Sequence, residues 1–196
     1  MSGPRLVGVA SAVILSFCLA LLAVEGVGED GFRAVIRLTA RTSLVLFLLA
    51  FSASAAFRAR RGPATRWLLA NRRYLGLSFA CSQLIHLLAI GALARAYPAS
   101  FWTGTAMSVV AVGGIGYLFI AAMAATSNDA SVAWLGPQRW RLLHSVGAYW
   151  IWQIFLVTYA LGIPRAPWKV VAVALLLTSL TLRLATRQRH PALAVT

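Results

Sequence analysis

The chain has 196 residues, 60% of them apolar and only 11% charged, with a mean hydropathy of +0.79, a balance that excludes an ordinary soluble domain. Its net charge of +14 would suit nucleic acid, but the arginines stand in short stretches between apolar runs, where topology and anionic headgroups account for them, so no nucleic-acid partner is expected. An all-α integral membrane protein remains, in contact with the lipid bilayer and long enough for one bundle of six spans at roughly 20 residues each.

The first apolar run, about residues 6–24, follows Arg5. It invites a signal-peptide reading with cleavage near Ala23, but signal cores run only about 7–15 residues, so a retained helix is expected. The second, about 34–57, carries Arg37 and Arg41 one turn apart near its start. The third, about 74–94, begins after the pair Arg72-Arg73 and places His86 near its middle. The fourth, about 105–125, contains Gly113-Gly114-Ile115-Gly116, small residues that permit close helix packing. Asn128-Asp129 opens a short interfacial helix ending near Gly136-Pro137, and Trp140-Arg141 then leads into a fifth span, about 142–161, with His144 in its first turn. The sixth, about 170–184, runs into a basic tail containing His190. These runs lack period-two alternation, and each can cross a bilayer as a helix, the form that satisfies its own backbone.

In a six-transmembrane-helix bundle, Arg5, Arg58, Arg60, Arg61, Arg66, Arg72, Arg73, Arg139, Arg141, Arg183, Arg187 and Arg189 fall on one side. The other side holds Arg33, Arg37, Arg95, Arg165 and Lys169 together with Glu25, Glu29 and Asp30. The positive-inside rule then puts both termini in the cytoplasm. The chain is expected to be a single multi-pass domain spanning residues 1–196.

Cys18 and Cys81 sit about 20 Å and about 12 Å from the cytoplasmic ends of their helices at a rise of 1.5 Å per residue, too far apart in depth for a disulfide. Both read as small core hydrophobes. The sequence contains no CxxC, CxxCH or P-loop, and its one GxGxxG match, Gly26-Val27-Gly28-Glu29-Asp30-Gly31, lies between two helical apolar runs with no strand before it, so zinc ribbons, covalently attached haem and nucleotide folds lack support. The tight loops leave room for no soluble catalytic domain, and any flavin or nucleotide domain must come from another chain.

Candidate chemistry therefore rests on histidines and intramembrane arginines. His190 reads as solvated tail. His144 either faces cytoplasmic headgroups or contacts a cofactor. His86 lies too deep for headgroups: it is either a neutral ring hydrogen-bonded to a carbonyl or hydroxyl of a neighbouring helix, or an axial ligand to haem iron. A proton relay is disfavoured, because no Asp or Glu lies within the spans. Met107, Gln153 and Tyr159 are the alternative candidates for a second iron ligand, but packing and hydrogen bonding explain each of them better. Arg41 either snorkels to outer headgroups or reaches carboxylates near His86.

Several elements together resemble the ferric-reductase-like transmembrane domain family, and within it the membrane haem subunits of bacterial methionine sulfoxide reductase systems. They are Thr39-Ala40-Arg41-Thr42-Ser43-Leu44; Arg72-Arg73-Tyr74-Leu75-Gly76-Leu77 leading to His86; Thr126-Ser127; and Leu135-Gly136, then Trp140-Arg141-Leu142-Leu143-His144 with Tyr149. The resemblance covers roughly Arg37 to Leu161. It implies a multi-pass protein of a bacterial-type inner membrane, with b-type haem (heme b) between the third and fifth helices. It further implies electron transfer across the membrane from flavin or quinone, a soluble redox partner, His86 and His144 as metal ligands and Arg41 near the haem propionates. The chain departs from the family at Val157, where the pattern has a second histidine in the fifth helix.

That departure has a geometric side. His86 lies about 20 Å from the cytoplasmic end of its helix and His144 about 5 Å, whereas two imidazoles on one iron approach within about 4 Å. A shared iron is not expected; the alternatives are haem on His86 alone, separate weak sites, or loss of haem. The competing function is a haem-free helical membrane scaffold or small carrier, although inverted repeats and broken helices are not evident. Haem loading predicts a Soret band that shifts on dithionite reduction of the purified protein and is largely removed by His86→Ala; a featureless spectrum after haem-replete expression refutes it.

Overall fold

A computed structural model describes residues 3–189, and His190 lies outside them. The described residues form an all-helical structure: α1 (Pro4–Glu25), α2 (Glu29–Ala59), α3 (Pro63–Ala70), α4 (Arg72–Ala96), α5 (Pro98–Gly104), α6 (Met107–Ala125), α7 (Asp129–Leu135), α8 (Pro137–Leu161) and α9 (Lys169–Arg189), with a 3-10 turn at Ile163–Arg165. Five of these, α1, α2, α4, α6 and α9, are long and apolar enough to cross a membrane. Helix α8 has 25 residues but falls outside that group, because His144, Gln153 and a row of tryptophans and tyrosines lower its hydropathy.

Helix ends follow local chemistry. Glu29 and Asp30 start α2 several residues before the apolar run, where carboxylates favour the positive end of a helix dipole. The Asn128 side chain accepts the Ser131 amide at 2.7 Å and caps α7. Gly136 closes α7 at φ +76°, a conformation other residues rarely adopt, and Pro137 starts α8. Pro63 and Pro98 likewise open α3 and α5, two short helices that apolar periodicity alone does not announce.

Helices α2, α4, α6, α8 and α9 contact one another in turn around a closed ring, and α1 packs outside it against α2 and α4. The Gly3 amide donates to Asn71 Oδ1 at 3.0 Å, and Arg58 donates to Thr186 Oγ1 at 3.4 Å. These bonds gather the start of α1, the end of α2, the start of α4 and the end of α9 at one arginine-rich end. At the opposite end Arg33 pairs with Glu29 at 2.9 Å, and Ser100 donates to Glu29 at 2.5 Å, joining α5 to α2. Both cysteines are free.

Lipid is as apolar as leucine, so close packing must hold α6 to α8. A Cβ on Gly116 would meet Ile154 Cδ1 at 2.8 Å, and one on Gly147 would meet Met123 Sδ at 2.9 Å, whereas Gly113 and Gly114 face open space. The close approach thus uses one glycine of the 113–116 run and a partner on α8. Gly147→Val should cost about 1–3 kcal/mol of unfolding free energy in detergent through overpacking, while Gly113→Val should stay within about 0.5 kcal/mol of the parent.

Candidate functional site

The α2–α4 seam is built from small hydroxyl residues. Thr39, Ser43, Ser78 and Ser82 are each 0% exposed. Ser43 Oγ donates to Ser82 Oγ at 2.8 Å, and Thr42 Oγ1 lies 3.2 Å from the same oxygen. Thr39 Oγ1 sits 2.7 Å from the Val35 carbonyl and 2.8 Å from His86 Nδ1. A hydroxyl has one proton, and the carbonyl can only accept it. His86 Nδ1–H is therefore assigned as the donor to Thr39, and the ring also lies within hydrogen-bonding reach of the Ile36 carbonyl.

Alongside the Ser43 and Ser78 part of this seam, the interior of the ring is packed with aromatic side chains. Phe47 of α2, Phe79 of α4 and Phe155 of α8 approach with ring centroids 5.4–6.3 Å apart, and Tyr159 continues the cluster 6.4 Å from Phe155. All four are 7% exposed or less. Arg72, Phe79 and His86 are spaced by seven residues and share one face of α4, so Phe79 lies about 10 Å below His86 along the axis.

Between this plug and the arginine-rich end lies a cavity of about 340 Å³. Phe47, Phe51, Phe79, Met123, Trp140 and His144 line it with apolar and aromatic surface, and Arg72, Arg73, Arg183 and Asp129 add charge. His144 stacks on Trp140 with ring centroids 4.2 Å apart, and its Nε2 lies 3.2 Å from Thr126 Oγ1. Thr126 Oγ1 donates to the Ala122 carbonyl at 2.7 Å. By the same one-proton reasoning His144 donates from Nε2–H and keeps its lone pair on Nδ1. Trp140 Nε1 donates to the Thr126 carbonyl at 2.9 Å, and Arg73 pairs with Asp129 at 3.1 Å, which ties α7 to the start of α4.

The residues singled out from sequence therefore do not converge. His86 serves the α2–α4 seam, and His144 lines the cavity. Arg41 stands two residues from Thr39, at the level of His86, but its guanidinium turns away to lie 4.9 Å from the Trp168 ring centroid, with Trp168 edge-on to Tyr159. Val157 is 47% exposed and Met107 67% exposed, both on the outer surface. Sequence reasoning missed Phe47, Phe79 and Phe155, which apolar composition hides among other core residues, and Arg183. The inward residues of α9, Ala172, Leu176, Ser179 and Thr186, are buried at helical spacing, and that stripe was the available signal for Arg183.

No family model, curated protein or solved structure matches the chain. A b-type haem between α4 and α8 would need open space beside His86. There the Thr39 hydroxyl engages one side of the ring, and the packed rings of Phe47, Phe79 and Phe155 lie about 10 Å toward the arginine-rich end. His144, on the cavity, has no second imidazole among the residues that line it.

The His86–Thr39 bond makes a measurable prediction. A double-mutant cycle with His86→Ala and Thr39→Val should give a coupling of about 0.6–1.7 kcal/mol, as for other interhelical hydrogen bonds in membranes, read from unfolding in mixed detergent micelles.

Proposed function

We propose that the chain is a haem-free, six-span protein of a bacterial-type inner membrane, both termini cytoplasmic, that binds one amphipathic small molecule in the cavity at its cytoplasmic end. The observation that carries this function is the division of the ring interior: packed aromatics at mid-depth, and below them a chamber whose volume falls in the range of small-molecule sites, about 300–1,000 Å³. Its aromatic walls suit an apolar or planar body, and its guanidiniums suit an anionic head. We read α8 as the sixth span: Trp152 and Tyr159 meet neighbouring helices, and the ring of helices runs through it, which supports this reading.

A second function, membrane electron transfer of the ferric-reductase-like kind with a soluble redox partner, is favoured by His144. Its Nδ1 lone pair and its stack on Trp140 offer a flat aromatic wall to a quinone headgroup. Bound quinone would supply the two-electron redox chemistry, and His144 and Trp140 would hold and orient it.

Native mass spectrometry of protein purified in mild detergent should show one retained small molecule. Filling the cavity with Ala80→Phe or Ala148→Phe should remove it while leaving a cooperatively unfolding protein. A wild-type protein that retains nothing and is indistinguishable from these variants overturns the proposal. A retained molecule whose absorbance bleaches with dithionite selects electron transfer.

A further inference from the structure

The charges beside the cavity are unbalanced. Arg72 and Arg183 line it, and Arg58 lies within electrostatic range of both. Arg187 adds a further positive charge beside Arg183. The one carboxylate there, Asp129, is paired with Arg73, while Glu25, Glu29 and Asp30 belong to the other end of the helices.

Each of the three guanidiniums is held by groups that leave its charge unanswered. Arg72 donates to Ser54 Oγ at 3.1 Å. Arg183 donates to the Phe51 carbonyl at 2.9 Å and stacks over the Phe51 ring at 4.0 Å. Arg58 reaches Thr186 at 3.4 Å, and its Nε is buried with no hydrogen-bond partner. A buried unsatisfied donor on a charged group is costly. Three like charges from α2, α4 and α9 lie within electrostatic range of one another, Arg72 of them exposed to the cavity mouth, and an anion among them would relieve their mutual repulsion.

Resting on the amphiphile-binding function above, we propose that the ligand's head is a phosphate monoester, held by Arg58, Arg72 and Arg183, and that its single apolar body occupies the chamber lined by Phe47, Phe79 and His144. A phosphate monoester carries close to two negative charges at neutral pH and three acceptor oxygens. That matches forked guanidiniums approaching from three helices better than one carboxylate does. A two-chain phospholipid offers the same phosphate, but the chamber of about 340 Å³ has no room for two acyl chains.

The test uses the full-length protein in neutral detergent and four probes: farnesyl monophosphate, farnesol, inorganic phosphate and dioleoyl phosphatidate. Ligand binding to the folded state raises the unfolding midpoint. Farnesyl monophosphate should stabilise the protein with at least about tenfold higher apparent affinity than farnesol, the loss expected when charged hydrogen bonds are removed. Inorganic phosphate and phosphatidate should each be weaker than farnesyl monophosphate. Arg58→Gln with Arg183→Gln should bring farnesyl monophosphate down to the affinity of farnesol. Arg58→Lys with Arg183→Lys keeps the charges and should give an intermediate loss, which covers the case in which the glutamine pair does not fold. Equal binding of farnesol and farnesyl monophosphate overturns the phosphate assignment and leaves the cavity's function standing. Binding of neither overturns both. Inorganic phosphate as strong as farnesyl monophosphate overturns the apolar body, and phosphatidate as strong identifies a bilayer headgroup contact and overturns the single-chain ligand.

Discussion

The hydroxyl seam between α2 and α4 is the constraint on which the rest of the structure depends. In water, burying leucines would bring two such helices together; in lipid that force vanishes, and association rests on close backbones and interhelical hydrogen bonds. Thr39, Ser43 and Ser82 provide both, being small enough to let the helices approach and polar enough to bond across the gap. His86 finishes the seam. A polar ring at that depth is tolerable because Thr39 accepts its one N–H.

Fixing α2 against α4 decides where the interior can be open. Phe47 and Phe79 come from the two helices on either side of the seam, so their rings are brought together beside it, and Phe155 of α8 completes the cluster. The chamber lies between these rings and the arginine-rich end. There α7 and the start of α8 bring in Asn128, Asp129, Trp140 and His144, and the chamber takes its polar side from these residues. The two histidines accordingly have different duties although each donates to a threonine: one bond holds two helices together, the other holds a ring against Trp140 at the edge of an open space.

Much of the helical plan was legible from residues alone. Apolar runs located the long helices, and Asn128, Gly136 and Pro137 marked α7 because capping chemistry is local. The proline-opened helices α3 and α5 were not foreseen, since eight and seven residues are too few to show a period. The site was less legible. His86 and His144 stand out in any list of ionisable residues, but what each one touches depends on which helix lies opposite, and spacing along one helix does not contain that. Arg41 shows the same limit: its depth was compatible with His86, yet its direction around α2 sends it to Trp168 instead. Arg183 was visible only as one basic residue among many near the chain's end, although it meets Phe51 across the ring.

The lopsided placement of basic residues bears on the protein's history in the cell. To invert after synthesis, the molecule would have to drag a dozen guanidiniums from α1, α2, α4, α8 and α9 and the segments between them through hydrocarbon, at roughly 2.5–3.5 kcal/mol each even on the most lenient scale. No thermal fluctuation supplies that sum. Whichever side of the membrane the arginine-rich end takes on insertion is therefore the side it keeps.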